Sequence, residues 1–241
     1  MMRPAMVFAA LALAACGQDE PASEPSAAPA SIAAGKIAAA EPIPTSSATA
    51  PSTGPFAPRD DCAATPGAKQ FRAALSEAVR RRDAAALVAL ADPAVRLDFG
   101  DGAGREELRQ RLAGTKSGEL WEELAAILPL GCALQEGALV MPWHFAQEFD
   151  DPYAVMIVTG AKVALRKEPA ADTAPLTTLS WQAVELVGGL QTDKPFQRVK
   201  VPGGPTGWVA TGELRSVLDY RLLANRDKRG DWKITAFVAG D

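Results

Sequence analysis

Phe196-Gln197-Arg198-Val199-Lys200-Val201 reads as an alternating strand, Pro202-Gly203-Gly204-Pro205 turns the chain, and Thr206-Gly207-Trp208-Val209 follows. Alternation is the signature of a half-buried strand, because successive side chains point to opposite faces. The Pro-Gly-Gly-Pro block carries the residues of a turn. Further short strands are expected just upstream: Val155-Met156-Ile157-Val158, Val163-Ala164-Leu165-Arg166, and Ala183-Val184-Glu185-Leu186-Val187, the last led in by Leu176, Leu179 and Trp181. Several short strands separated by turn residues predict a small β-barrel over residues 153–216.

The order of these pieces resembles a bacterial SH3 domain. The residues that carry the resemblance are Leu165-Arg166, the turn at Pro169, the apolar strands from Leu179 to Leu186, Gly207-Trp208-Val209 and Leu214. Ala164 stands where the family has Asn, and the turn Gly188-Gly189-Leu190-Gln191-Thr192-Asp193-Lys194-Pro195 is longer than usual. The resemblance implies a binding or spacing module, with cell-wall peptides or a protein as partner. It also implies a groove formed by Trp181, Trp208 and Arg166. The same tryptophans would equally serve as core of so small a barrel.

Upstream, the period changes to that of helices. Phe71, Ala74, Leu75, Ala78 and Val79 form one apolar face, ending at Arg80, Arg81 and Arg82, where cations suit the helix dipole. Asp83 is placed to cap a second helix through Ala91, which Asp92-Pro93 stops. Val95, Leu97 and Phe99 suggest a short strand, with Asp98 and Asp101 at its turn. Helices are expected over Arg105–Leu112 and from Ser117 to Leu128. Leu139 to Phe145 reads as a strand or edge strand because Pro142 lacks an N–H, and a strand would point Trp143 and His144 to opposite faces. Helix, helix, strand and then Gly104-Arg105-Glu106-Glu107-Leu108, together with the closing Trp232-Lys233-Ile234-Thr235-Ala236-Phe237, resemble the NTF2-like fold. That resemblance implies a cone of helices over a curved sheet, used as a small-ligand pocket or as a scaffold. Leu218, Tyr220, Leu222, Trp232, Ile234, Ala236 and Val238 form an apolar hairpin set, expected to return to the helical region.

The chain opens with Arg3, an uncharged run Ala5–Ala12, and Leu13-Ala14-Ala15-Cys16-Gly17. The run is too short to cross a bilayer, which takes about 20 apolar residues, and fits a signal peptide. Its end resembles a bacterial lipobox, which implies cleavage before Cys16, acylation of Cys16, and anchoring on the periplasmic side of the outer membrane. Residues 17–59 hold 12 Ala, 8 Pro, 6 Ser and 3 Thr, too little apolar bulk to offset chain entropy. A disordered tether is expected there, spanning about 130 Å if fully extended. An exported chain leaves Cys62 and Cys132 in an oxidising compartment, where a disulfide between them is expected. The alternatives are two buried thiols, or Cys132 as a nucleophile with His144 as its base.

The whole chain of 241 residues is thus expected to be α+β, a small helical and sheet domain plus an SH3-like β-barrel after a disordered tether. Its divisions are 1–15 (signal peptide), 16–60 (acylated Cys and tether), 61–152 (helical domain), 153–216 (barrel) and 217–241 (hairpin packing back). A net charge of −4 provides no field for nucleic acid. One His and three Cys rule out an H-E-x-x-H zinc site and a four-cysteine ribbon, and no metal or cofactor is expected. The leading expectation is a non-enzymatic envelope lipoprotein that contacts peptidoglycan or an envelope protein. The alternatives are a small-ligand pocket lined by Trp121 and Trp143, and a hydrolase using Cys132 with His144, or Asp98 and Asp101.

Overall fold

The structure, a computed structural model, describes residues 53–114 and 117–240. Helix α1 (Ala68–Arg81) buries Phe71, Leu75, Ala78 and Val79 along one stripe, while Arg80 and Arg81 occupy its last turn. Asp83 caps α2 (Ala84–Leu90), accepting the Ala86 N–H at 2.9 Å. Strand β1 (Ala91–Arg96) starts directly at the helix end, earlier than the alternation of Val95, Leu97 and Phe99 suggests. Val95 and Leu97 are buried there, but Phe99 stays 49% exposed. Helices α3 (Arg105–Ala113) and α4 (Ser117–Ile127) follow, burying Leu108 and Leu112, then Trp121, Leu124 and Ile127.

Two short strands come next, β2 (Ala133–Gln135) and β3 (Ala138–Met141). Of the strand or edge strand expected over Leu139–Phe145, the structure has the interior strand, and it is shorter than expected. β3 is bonded on both sides, to β2 and to β11 (Arg221–Arg226). It also ends at Pro142, whose ring nitrogen has no proton for a ladder, and Trp143–Ala146 forms a 3-10 turn. Trp143 and His144 are consequently both buried.

β11 and β12 (Trp232–Val238) form an antiparallel hairpin inside a five-stranded sheet of order β1-β12-β11-β3-β2. β1 lies parallel to β12. Leu222, Ala224, Trp232, Ile234 and Phe237 pack with the α1–α4 side chains into one core. Burial at this hairpin is not a simple alternation, because a register irregularity between Leu223 and Ala224 shifts the pairing.

Between β3 and β11 the chain makes a second unit: β4 (Val155–Val158), β5 (Val163–Arg166), β6 (Pro175–Leu179), β7 (Ala183–Leu186), β8 (Phe196–Lys200), β9 (Thr206–Ala210) and β10 (Leu214–Ser216). Its ladder runs β10-β4-β7-β8-β9-β5-β6. The closed barrel expected for residues 153–216 is corrected to an open seven-stranded sheet, since among the described residues β10 and β6 end the ladder without pairing to each other. The sheet still wraps a core of its own, formed by Met156, Val158, Val163, Leu165, Leu179, Val184, Val199, Val209 and Leu214. Mixed α and β content in two sheets places the chain in the α+β class.

The tether was expected to reach residue 60, but its end is ordered. Phe56 N–H donates to the Trp181 carbonyl at 2.8 Å, and its ring stacks on Phe149 at 5.4 Å. Asp60 bridges to Cys132, and Cys132 N–H donates to the Arg59 carbonyl at 2.8 Å. Phe56 and the buried Ala57 supply the apolar surface that the Ala, Pro and Ser before them lack. Cys62 and Cys132 are joined by a disulfide across 70 residues, so this strap is covalently fixed to the start of β2. Replacing both cysteines by Ala should lower the free energy of unfolding by about 4 kcal/mol on the loop-closure scale, measured by denaturant titration, with native secondary structure kept.

Candidate functional site

The outward face of the second sheet follows from its registers. In β9, Gly207 and Val209 are buried, so Trp208 points outward with Thr206 and Ala210. In β8, Gln197 and Val199 are buried and Arg198 is exposed. Arg198 is the register partner of Trp208 in β8, and Arg166 is its partner in β5. Directly paired residues share a face and stand about 5 Å apart. Val187 extends the row, its N–H donating to the Arg198 carbonyl at 2.9 Å. The result is a cross-strand row, Val187-Arg198-Trp208-Arg166, in which Trp208 is flanked in register by two arginines. The Arg166 guanidinium is steadied by the Thr173 carbonyl, and Lys200 adds a further exposed cation on the same face. Such a row suits an anion that also offers an apolar or planar surface, since Arg forks match carboxylates and aromatic rings stack.

The row depends on Gly207. A Cβ there would lie 2.7 Å from the Arg166 carbonyl oxygen and 2.9 Å from Leu165 Cγ, so only glycine lets β9 lie this close to β5.

Of the residues expected to form a groove, Arg166 and Trp208 come together and Trp181 does not. Trp181 follows β6, with φ at 44°, and its N–H donates to the Gly160 carbonyl. It sits beyond the Val163–Leu179 pair, at the end of β5 opposite Arg166, and its carbonyl is taken by the Phe56 strap. Arg198 was not singled out from sequence, although the Pro-Gly-Gly-Pro turn contains the signal. A hairpin centred on Gly203 pairs residue 198 with residue 208. Cys16 lies outside the described residues. Asp98 acts as a turn residue, accepting the N–H groups of Gly100 and Gly102 and pairing with Arg111 at 2.5 Å. Arg111 and those N–H groups hold its carboxyl below the usual range. Cys132 is disulfide-bonded, which leaves no thiolate for attack.

A second polar cluster joins β10 to α4. Arg215 of β10 is 9% exposed and pairs with Asp219 at 3.3 Å and Glu123 of α4 at 3.6 Å. Glu123 Oε2 and Arg215 Nε are buried without a hydrogen-bond partner. Burial, with the nearby Asp219 charge, raises the Glu123 carboxyl pKa against the pull of Arg215. Trp143 donates to Asp61 at 2.6 Å beneath the Arg59 guanidinium, and Trp121 sits in the helical core. His144, 2% exposed, is pushed down to about 4 by burial and by the Arg215 charge.

No protein-family model matches the chain, and neither does any curated protein. Among solved structures, it is similar to an NTF2-like protein with a cystatin-like fold from Novosphingobium aromaticivorans, at 12% identity and a TM-score of 0.27, covering 72% of this chain and 79% of that one. It is also similar to a structure described as Rd1NTF2_05 with long sheet, at 18% identity and a TM-score of 0.25, covering 72% and 96%. At these scores the likeness carries no argument, and the fold is read from the chain's own topology. Among the described residues no helix is long and apolar enough to cross a membrane.

Two outcomes are expected from this geometry. Gly207→Ala should destabilise the protein by about 1–3 kcal/mol, the range for overpacking, in denaturant unfolding. His144 stays neutral when folded, with a pKa near 4 against 6.5 unfolded. Its contribution is therefore intact above pH 6.5 and lost as pH falls toward 4, by roughly 3 kcal/mol in full. Glu123, whose pKa is raised, works in the opposite sense. His144→Gln should flatten that acid-side loss relative to the parent chain in unfolding titrations from pH 7 to 4.

Proposed function

We propose that the protein is a non-enzymatic, lipid-anchored envelope protein, held through Cys16, whose inserted SH3-like sheet binds carboxylate-bearing cell-wall peptide. The observation that carries this reading is the Arg198-Trp208-Arg166 row. Two arginines flank one tryptophan in register on the outward face of the sheet, while the candidate nucleophile Cys132 is tied up in a disulfide. That disulfide also supports export to an oxidising compartment. Co-sedimentation of the full chain with purified peptidoglycan sacculi tests it. Retention is expected, weakening as salt rises because the contacts are exposed. Trp208→Ala or Arg198→Ala should each lose about tenfold, the scale of one charge-assisted bond or stacked ring. No retention, or retention untouched by both variants, would sink the proposal.

A second reading is favoured by a different observation. Helices α1–α4 over a sheet whose first and last strands are parallel neighbours support an NTF2-like cone, and beside it Arg215 Nε has no hydrogen-bond partner while Glu123 Oε2 has only the ion pair with Arg215 at 3.6 Å. A small polar ligand that accepts from Arg215 and donates to Glu123 would satisfy both. Such a ligand at a hundredfold excess over its Kd adds about 2.7 kcal/mol of stability. A thermal-shift screen of small hydroxy acids and amides should then find stabilisers of the parent chain that do not stabilise Glu123→Gln. A screen with no such compound leaves this reading without support.

A further inference from the structure

The turn between β11 and β12 forms one wall of an open groove of about 630 Å³. Asp92 and Pro93 of β1, Arg105 at the start of α3 and Lys233 of β12 complete its lining. Five of the lining residues are cations, Arg105, Arg226, Lys228, Arg229 and Lys233, and three are acids, Asp92, Asp227 and Asp231. The pairing of β1 with β12 brings these distant stretches of chain together. The excess of positive charge stands out in a chain whose net charge is −4.

No acid neutralises these cations. Arg105 Nε donates to the Ala91 carbonyl at 2.8 Å, and Lys233 Nζ to the Ala89 carbonyl at 3.0 Å. Arg226 donates to the Gly230 carbonyl at 2.7 Å and to the Pro66 carbonyl at 2.6 Å. Carbonyls are neutral acceptors, so each cation keeps its charge, and each has donors to spare. The acids are engaged by backbone: Asp92 accepts the Ala94 N–H at 2.8 Å, and Asp227 accepts the N–H groups of Arg229 and Asp231 at 2.8 and 3.0 Å. Glu106 and Glu107, which follow Arg105, pair instead with Arg109 and Arg111. The turn itself is closed by the Asp227 N–H donating to the Asp231 carbonyl at 2.8 Å and the Gly230 N–H to the Asp227 carbonyl at 2.9 Å. The Arg226 guanidinium lies 4.6 Å over the Trp232 ring. Donors fixed in this way lose little freedom when a ligand arrives.

We infer that this groove is a second binding site, for a phosphate monoester, gripped by the half-buried Arg105 and Lys233 together with Arg226, Lys228 and Arg229 of the hairpin. Guanidinium forks and ammonium groups are the side chains that match phosphate oxygens. Five cations against three acids leave two charges to be answered, and a monoester carries about −1.5 to −2 at neutral pH. The volume falls in the range of about 300–1,000 Å³ that holds a small organic ligand, so the phosphate is borne on a larger body. The site belongs to the first sheet and does not rest on the peptide reading above.

The test is a calorimetric titration of the full chain with two monoesters, glucose 6-phosphate and dibutyryl phosphatidic acid, and with the diester dimethyl phosphate. At least one monoester should bind, tenfold or more tightly than the diester, and binding should weaken as salt rises. The order of the two monoesters assigns the phosphate to a sugar or to a lipid headgroup, and either order supports the site. Lys228 and Arg229 are exposed. Replacing both by Ala should weaken monoester binding about tenfold, the scale of two exposed charge contacts, with an unchanged melting temperature in the absence of ligand. Asp231→Asn removes a like charge and should tighten binding about threefold. Cations kept only to tie down the end of α2 would produce neither effect. If neither monoester binds the parent chain, if dimethyl phosphate binds as tightly, or if the double variant binds as the parent does, the inference falls.

Discussion

Strand β11 carries the architecture. It is hydrogen-bonded to β3 on one side and β12 on the other, so every path across the five-stranded sheet runs through it. Leu222, fully buried, faces Met141 in register. The chain thus leaves the first sheet at Met141 and re-enters at the adjacent position, with the whole second unit between those points. An insertion whose two ends are neighbours adds loop-closure entropy that grows only slowly with its length. The helical core is then completed by Leu222, Ala224 and Phe237, and the inserted sheet is free to form a core of its own. Each of the two hydrophobic clusters draws its buried residues from one side of this division.

Two further ties set the units against each other. The strap from Gly54 to Asp61 runs from Trp181 of the inserted sheet to Cys132 of the first, and the disulfide holds its end. The Arg215 cluster is the polar counterpart. A buried cation between Glu123 and Asp219 links β10 to α4, at the desolvation cost seen in the raised Glu123 and depressed His144 pKa values. Neither tie touches the Arg198-Trp208-Arg166 face, which looks outward. The exposed row and the buried junction are physically separate, and they support different functional readings.

Local signals were legible wherever a single element decides them. The spacing of Phe71, Leu75, Ala78 and Val79 marks the buried stripe of α1, Asp83 caps α2, and Pro142 ends a ladder because it lacks a proton. Where the sequence misled, non-local pairing prevailed. Pro142 makes Leu139 to Phe145 read as a strand or edge strand, and only β11, arriving from eighty residues away, decides that it is interior. Trp181 and Trp208 look alike as groove candidates, but register sends them to opposite ends of β5. Gln197 reads as an ordinary polar position in a strand, and only folding shows its amide buried against Gln191.

By itself the sequence determined facts of composition and spacing: an N-terminal stretch that resembles a lipobox, two cysteines beyond Cys16, and the helix and strand periods. These are set within a few residues of chain, where backbone geometry and side-chain size suffice. The tertiary structure alone decided that the β-unit stays open, that the strap reaches Trp181, and that Arg198, Trp208 and Arg166 share one row. Those outcomes depend on which strands pair and in what register, and a one-residue slip would turn every side chain of the row to the opposite face.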